Sequence, residues 1–195
     1  MPKTINHEIH KEEILTRCLP LFADKGYASV SIREIGKELG ISTGALYHYF
    51  ATKEELFTSM VQNAVLRNSQ EIHQLKNTSN EPEALAEYIA QNENHYFQML
   101  LLAVDVKRHH LDSSELSALL VESWESYKRA LNRFFMLEED SEFGNTFLSY
   151  LVGALFLKDP KTSSSIHYWK ERINSFSKIS EESNILKSSA LESVR

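Results

Sequence analysis

Residues 25–57 read KGYASVSIREIGKELGISTGALYHYFATKEELF, and this stretch decides the fold. Ser31 and the glutamate three residues later form a capping-box pattern, which starts a helix. Gly40 suits the left-handed residue that ends such a helix. Ser42 then caps a second, shorter helix. Two short helices joined by a tight turn are typical of a helix-turn-helix unit.

The second helix of this unit carries a face of small and polar residues. Thr43 and Tyr47 lie one helical turn apart, as do Gly44 and His48, so the four positions form one stripe. A helix N-terminus attracts phosphate, a threonine can contact a base edge, and a glycine lets the backbone approach DNA closely. The stripe therefore predicts a DNA-contacting face, and the alternative interpretation is an ordinary exposed helix face.

Four flanking residues complete the predicted interface. Ser31 and Arg33 begin the first helix of the unit, which usually crosses the DNA backbone, although Ser31 also serves as a cap. Ser42 and Lys53 begin the next two helices, where phosphates are within reach. The predicted DNA contacts are Ser31, Arg33, Ser42, Thr43, Gly44, Tyr47, His48 and Lys53.

Residues 25–57 resemble the Tet-repressor (TetR) family of bacterial transcriptional regulators. The resemblance rests on the Gly-Tyr entry, the Ser-x-x-Glu box, the Gly-Ile-Ser turn, the Leu-Tyr-x-Tyr-Phe segment and the Lys-Glu-x-Leu-Phe ending. It covers about a sixth of the 195-residue chain. It implies a helical C-terminal domain that dimerises and binds an inducer.

Apolar residues recur at helical spacing nearly everywhere else, which predicts an all-α fold. We expect a helix-turn-helix domain at 1–51, a helical ligand-binding and dimerisation domain at 52–178, and a polar, frayed tail at 179–195. A kink or an early end is expected at Pro20, inside the first helix. His7 and His10 are expected to lie in a mobile N-terminal arm. After the long helix that begins at Thr52, helices are expected from about Pro82 to His109, Asp112 to Leu137 and Glu139 to Lys158. A last helix is expected after Ser165, carrying Ile166, Trp169, Ile173 and Phe176.

Charge and cysteine content narrow the class of protein. The net charge is -6, yet residues 1–53 hold seven basic and six acidic side chains, so a polyanion would bind in this first quarter. Cys18 is the single cysteine, and the N-terminus lacks an apolar signal core, which favours the cytoplasm. The longest apolar run, at 99–104, is far shorter than the ~20 residues that span a bilayer, so no membrane partner is expected.

Catalytic and metal-binding patterns are weak. The sequence contains no nucleophile elbow, phosphate-binding glycine loop or His-Glu-x-x-His motif, so we expect no enzyme and no cofactor. His109 and His110 are adjacent and point apart on a helix, and His7 and His10 lack further ligands, which disfavours a metal sensor. Cys18 fits a core position better than a redox sensor.

The central helices are rich in aromatic side chains. His95, Tyr96, Trp124 and Tyr127 are the candidates for polar-tipped walls of a ligand pocket, although such residues are more often plain core. No cluster of arginine and lysine accompanies them. An apolar or aromatic small molecule is therefore expected rather than a sugar phosphate. The run at 99–104 is apolar on all sides, which predicts burial all round.

The last two helices carry apolar stripes that we assign to a homodimer interface. The alternative is that these stripes belong to the core of one subunit. The predicted interface residues are Phe147, Leu151, Ala154, Leu155, Ile166, Trp169 and Ile173.

Together these patterns predict a homodimeric one-component regulator, a repressor of a palindromic operator, that a small ligand releases. The rival hypothesis is a small-molecule carrier that has kept a disused helix-turn-helix.

Overall fold

The computed structural model describes residues 3–75, 81–109, 114–159, 165–176 and 178. These residues form helices and connecting turns without any strand, which confirms the all-α prediction. The helices are α1 Lys3–Lys25, α2 Ile32–Leu39, α3 Thr43–Tyr49, α4 Lys53–Leu75, α5 Glu81–Gln91, α6 Glu93–His109, α7 Ser114–Phe134, α8 Glu142–Leu157 and α9 165–176.

Local capping fixes the helix-turn-helix. The Ser31 hydroxyl accepts from the Glu34 amide and the Glu34 carboxylate accepts from the Ser31 amide, so the predicted capping box is present. Gly40 ends α2 with φ 71°, the left-handed conformation that glycine adopts without strain. A Cβ at Gly36 would lie 2.6 Å from the Ile41 carbonyl oxygen, so the close turn requires a glycine there.

One buried cluster joins the helix-turn-helix to the helices behind it. Leu46 and Phe50 from α3 and its C-cap share this cluster with Phe57 of α4 and Val106 of α6. The side chains of all four are almost completely buried. The helix-turn-helix of α2 and α3, called the recognition unit below, is therefore packed directly on helices of the second predicted domain.

A second buried cluster fills the C-terminal half, where Phe134, Phe147 and Trp169 are fully buried. Asn132 lies beside it and organises the α7–α8 turn. The Asn132 amide nitrogen donates to the carbonyls of Glu139 and Ser141, and its oxygen accepts from the Gly144 amide at 2.8 Å.

Several predicted helix limits need correction. Helix α1 continues past Pro20 to Lys25, so the expected early end is wrong. Burial of Leu21 and Phe22 beyond the proline offsets the lost hydrogen bond, because each contributes ~1.5–3 kcal/mol. Helix α1 also starts at Lys3, so the expected mobile arm is helical.

The helix expected from Pro82 to His109 is two helices. The helix is interrupted at Asn92, whose side-chain and backbone amides both donate to the Tyr88 carbonyl. Helix α7 ends at Phe134 and α8 begins at Glu142. The Asn132 side chain stabilises the intervening turn by donating to the carbonyls of Glu139 and Ser141. The predicted cap at Asp112 and the tail at 179–195 lie outside the described residues.

Candidate DNA-binding surface and internal cavity

The recognition helix α3 is anchored by its apolar side and open on the other. Leu46 is 1% exposed, and the Ser42 hydroxyl caps the helix by accepting from the Ala45 amide at 3.1 Å. Thr43, Gly44, Tyr47 and His48 are all exposed, so the structure brings the predicted stripe together on one free face.

Gly44 is not required by packing. A Cβ built on it would meet no atom of the described residues within 4 Å, and its φ lies outside the positive range. Glycine lowers helix stability relative to alanine, so this position carries a cost that no contact among the described residues explains.

The flanking residues divide into free and committed side chains. Arg33 is exposed on the first turn of α2. The Ser31 hydroxyl donates to the Glu34 carboxylate and accepts from the Glu34 amide, so its hydrogen bonds are used within the cap. These bonds from Ser31, together with Lys25, hold the pKa of the Glu34 carboxyl below its usual value.

Lys53 has a structural role that the sequence did not predict. Its ammonium group donates to the carbonyls of Tyr27 at 2.9 Å and Val30 at 3.0 Å, and lies 4.4 Å from the centre of the Tyr27 ring. The charge therefore ties α4 to the loop between α1 and α2, instead of standing free for phosphate as expected.

His7 is a residue of this surface that the sequence analysis missed. Its ring lies 4.6 Å from the ring of Tyr49 and 5.7 Å from that of His48, centre to centre. The N-terminal part of α1 therefore supports the recognition helix. No local pattern in the sequence indicated this contact, because His7 and Tyr49 lie 42 residues apart.

A cavity of about 560 Å³ lies among α4, α5, α6, α7, α8 and α9. Its walls are overwhelmingly apolar, with Phe57 and Val61 from α4, Leu102 and Val106 from α6, and Leu148 from α8 among them. Tyr96, Trp124 and Tyr127 line it as predicted, whereas His95 lies outside the lining residues.

The polar tips of the lining aromatics are bonded to protein partners. The Tyr96 hydroxyl donates to Tyr88, which donates to the Glu71 carboxylate. The Trp124 indole donates to Asn145 at 2.6 Å. Burial raises the pKa of the Tyr96 phenol well above its usual value, so this hydroxyl keeps its proton. These tips hold the walls in place and leave an apolar interior.

Asn68 explains the position of His95. The buried Asn68 amide lies 2.9 Å from His95 Nε2 and donates to the Tyr127 hydroxyl at 2.8 Å. Burial, assisted by Arg67 and opposed by Glu71, lowers the pKa of His95. The imidazole is therefore a neutral hydrogen-bond partner of Asn68 and supports the wall from behind.

The run at 99–104 is only partly buried, contrary to the prediction. Leu102 is buried, but Leu101 is 39% and Val104 52% exposed. Val104 and the exposed Val121 line the cavity, so its mouth lies between α6 and α7. The uniform apolar pattern reflects a helix with a core side and a cavity-mouth side.

Most of the predicted dimer contacts are intrachain contacts. Phe147, Ala154 and Ile173 are buried within the second cluster of the single chain. Leu151, Leu155 and Trp169 line the cavity. Only Ile166, at 39% exposure, keeps a large exposed surface. These stripes face the interior of the chain because α9 packs on α8.

Two further observations concern metals and membranes. Within the described ranges, no three histidine, cysteine or carboxylate side chains come together in a way that could hold a metal ion. Every helix in this part of the chain is too short or too polar to cross a bilayer.

Burial, despite the neighbouring Arg17, raises the pKa of the Cys18 thiol to about 12, as fits a core position.

Known proteins share both the recognition unit and the fold. Residues 14–60 match the family of bacterial regulatory proteins called the tetR family. The regulator PksA of Bacillus subtilis is 43% identical over 56 residues, which is 29% of this chain and 27% of PksA. The match to this curated relative therefore spans only about a quarter of its length.

Solved structures extend the likeness along the chain. A transcriptional regulator from Aquifex aeolicus has a TM-score of 0.63 at 20% identity and covers 87% of this chain and 98% of its own. The regulator FadR of Bacillus subtilis, solved with stearoyl-CoA, has a TM-score of 0.61 at 17% identity over 84% and 95%. Residues 14–60 therefore carry the sequence pattern of the tetR family, and solved structures of transcriptional regulators share the fold over most of the chain.

Proposed function

We propose that this protein is a homodimeric one-component transcriptional repressor that binds a palindromic operator in the cytoplasm and is released by an apolar ligand. The observation that carries the DNA-binding part is the free face of α3. Thr43, Gly44, Tyr47 and His48 are exposed together on a helix whose other side is buried in the core. Arg33 extends the same surface along α2.

Selection of binding sites from sheared genomic DNA tests this proposal. The wild-type protein should enrich one palindromic site, whose half-sites would lie one helical turn of DNA apart or a multiple of it. Tyr47→Ala should abolish the enrichment because it removes the largest side chain of the free face. Tyr47→Phe, which keeps the ring, is the matched control. No enrichment by wild type, or equal enrichment by Tyr47→Ala, would contradict the assignment.

The length and apolar lining of the cavity favour an elongated, apolar ligand such as an acyl chain. Its lining residues on α6 run from Tyr96 to Lys107, about 16 Å along the helix axis. The tyrosine and tryptophan tips are already bonded to protein partners, so hydrophobic burial has to supply most of the affinity. The stearoyl-CoA bound to the related FadR fold supports this ligand class.

A series of acyl-CoA thioesters of increasing chain length tests the ligand class. Affinity should rise with each methylene by up to ~0.8 kcal/mol until the cavity is filled. Free coenzyme A is the control for the head group. Affinity that does not depend on chain length would argue against this occupant, and release of operator by the tightest thioester would link the cavity to DNA binding.

The exposed face of α8 supports the dimer. Thr146, Ser149, Phe156 and Leu157 are exposed on α8, and a Cβ at Gly153 would meet open space. Phe156 is 71% and Leu157 80% exposed. Small residues followed by large exposed apolar ones permit close approach of a second helix pair across a two-fold axis.

Sedimentation tests the dimer with two matched substitutions. Phe156→Glu should give a monomer with lowered operator affinity, because the charge would be buried in the interface. Phe97→Glu, at an exposed apolar position on α6, should remain a dimer. A dimeric Phe156→Glu would show that the interface lies elsewhere.

A carrier protein with a disused helix-turn-helix is the second candidate, since the cavity by itself fits storage or transport of an apolar molecule. The two functions differ in the genomic selection above: a carrier would bind acyl thioesters and enrich no site.

A further inference from the structure

Tyr27, in the loop between α1 and α2, is bonded to both helices that connect the recognition unit with the cavity. Its backbone amide donates to the Asp105 carboxylate of α6 at 2.8 Å. Its carbonyl accepts from the Lys53 ammonium group of α4 at 2.9 Å. Its ring packs on Phe57 of α4, with 4.8 Å between centres. Tyr27 lies only four residues before Ser31, the cap of α2.

The Asp105 carboxylate also lies very close to the backbone of Gly26. A Cβ at Gly26 would lie 3.0 Å from Asp105 Oδ1, and Gly26 has φ +79°. A side chain at this position would therefore be strained and would press on the carboxylate. Glycine here allows the α1–α2 loop to approach α6 closely enough for the Tyr27 amide to reach Asp105.

Asp105 also sits on the part of α6 that forms the cavity wall. Its neighbours Val104 and Val106 line the cavity, and Phe57 lines it from α4. One side of this turn of α6 therefore faces the cavity while the Asp105 carboxylate reaches the DNA-binding unit. A shift of α6 by about 1 Å would take a 2.8 Å bond beyond hydrogen-bonding distance.

We infer that Asp105 is a positioning residue for the recognition helix, and that a ligand in the cavity releases operator by drawing Asp105 away from the Tyr27 amide. The regulatory half of this inference rests on the proposed function. With the bond formed, the α1–α2 loop fixes where α2 begins and so where α3 points. With the bond lost, fewer molecules hold the orientation that fits DNA, and the apparent affinity falls by that fraction.

Three variants of the full-length protein test the positioning role, with the selected operator as the probe. Asp105→Ala removes the acceptor and should weaken operator binding about tenfold. Asp105→Asn keeps an acceptor oxygen for the Tyr27 amide and should stay within about threefold of wild type. Glu122→Ala removes the same charge at an exposed position of the neighbouring helix α7 and should have no effect.

Two outcomes would overturn the positioning role. One is wild-type affinity in Asp105→Ala. The other is an equal loss in Asp105→Asn and Asp105→Ala, which would indicate charge instead of the hydrogen bond. If Asp105→Ala does not fold, amide hydrogen exchange in the wild type decides. The Tyr27 amide should exchange far more slowly than those of the exposed Ala28 and Ser29, and exchange as fast as theirs would refute the bond.

Saturation with stearoyl-CoA separates this inference from the proposed ligand. In wild type it should lower operator affinity and speed exchange of the Tyr27 amide, and Asp105→Ala should lose most of this response. Operator release with unchanged exchange at Tyr27 would refute the regulatory half. If wild type does not respond at all while the three variants behave as expected, the acyl ligand fails and the positioning role of Asp105 stands.

Discussion

The hydrogen bonds within the recognition unit join residues close in sequence, whereas those within the C-terminal half join residues far apart in sequence. In the recognition unit, Ser31 bonds to Glu34 and Ser42 to Ala45, each pair three residues apart. In the C-terminal half, Glu93 accepts from Lys158, 65 residues away, and from Trp169, 76 residues away. The first region is specified locally, whereas the second depends on partners that meet only when the chain has folded.

This difference predicts how the two regions respond to mutation. Loss of a local cap should cost little, because the rest of the helix and its buried face remain. Loss of a long-range contact should cost more, because it leaves buried polar groups or displaced helices without a substitute. The four substitutions below test this contrast, in order of decreasing effect.

Gly144→Ala should destabilise the protein by about 3 kcal/mol. The new Cβ would lie 2.5 Å from Asn132 Oδ1 and 2.6 Å from the Lys128 carbonyl oxygen, so α8 would have to move from α7. That movement also breaks the bond from the Gly144 amide to Asn132. Urea unfolding followed by tryptophan fluorescence measures the change, and a loss below that of Ser31→Ala would contradict the contrast.

Glu93→Gln should destabilise the folded state by about 2 kcal/mol near neutral pH. The Glu93 carboxylate accepts from Lys158, whose side chain is only 9% exposed, and from the Trp169 indole and the Ser165 hydroxyl. A glutamine cannot neutralise the Lys158 charge. The free energy of unfolding of both proteins, measured as a function of pH, tests this.

The pH dependence of that effect has a defined sign. Burial alone would raise the pKa of the Glu93 carboxyl, but the bonds donated by Lys158, Ser165 and Trp169 outweigh it and lower the pKa below 4.5. The stabilisation is therefore fully present above about 4.5 and is lost as pH falls through the lower folded value. The difference between wild type and Glu93→Gln should shrink on acidification, and a constant difference would show that ionisation of Glu93 is not involved.

Ser31→Ala should cost about 1 kcal/mol, the ordinary effect of removing an N-cap. The Glu34 amide loses its acceptor at 3.2 Å, but the buried Ile32 and Ile35 still hold α2 in the core. Thermal unfolding measures the change. A cost as large as that of Gly144→Ala would mean that the local caps are not separable from the tertiary contacts.

Gly44→Ala should have the smallest effect on stability and the opposite sign, a gain of about 0.5 kcal/mol. The added methyl group meets open space. The same variant should weaken operator binding, because it adds a methyl group to the face that we propose contacts DNA. A gain in stability with unchanged operator affinity would remove Gly44 from the interface while leaving the fold comparison intact.

The fold of the recognition unit could be predicted closely from the sequence. Ser31, Gly40 and Ser42 each act within a few residues, so the pattern alone indicated both helices and the turn between them. The exposed face of α3 could be predicted in the same way, because exposure follows from helical spacing once Leu46 is assigned to the core.

The C-terminal half shows where such prediction fails. The early end of α7 depends on the Asn132 side chain, which donates to the Ser141 carbonyl nine residues further along the chain. Helical spacing identified the apolar stripes of α8 and α9 but not which surface would cover them. Phe147 and Trp169 are buried inside one subunit because the two helices pack on each other and on α7.

The sequence by itself determined the all-α fold, the helix-turn-helix and its exposed stripe, because caps, turns and amphipathic spacing act over a few residues. Only the tertiary structure decided that Lys53 is bound to backbone carbonyls, that the hydroxyls of Tyr96 and Tyr127 bond to other side chains, and that Asp105 reaches Tyr27. These contacts join residues 8 to 78 positions apart, and no local pattern encodes which distant partner satisfies a given polar group.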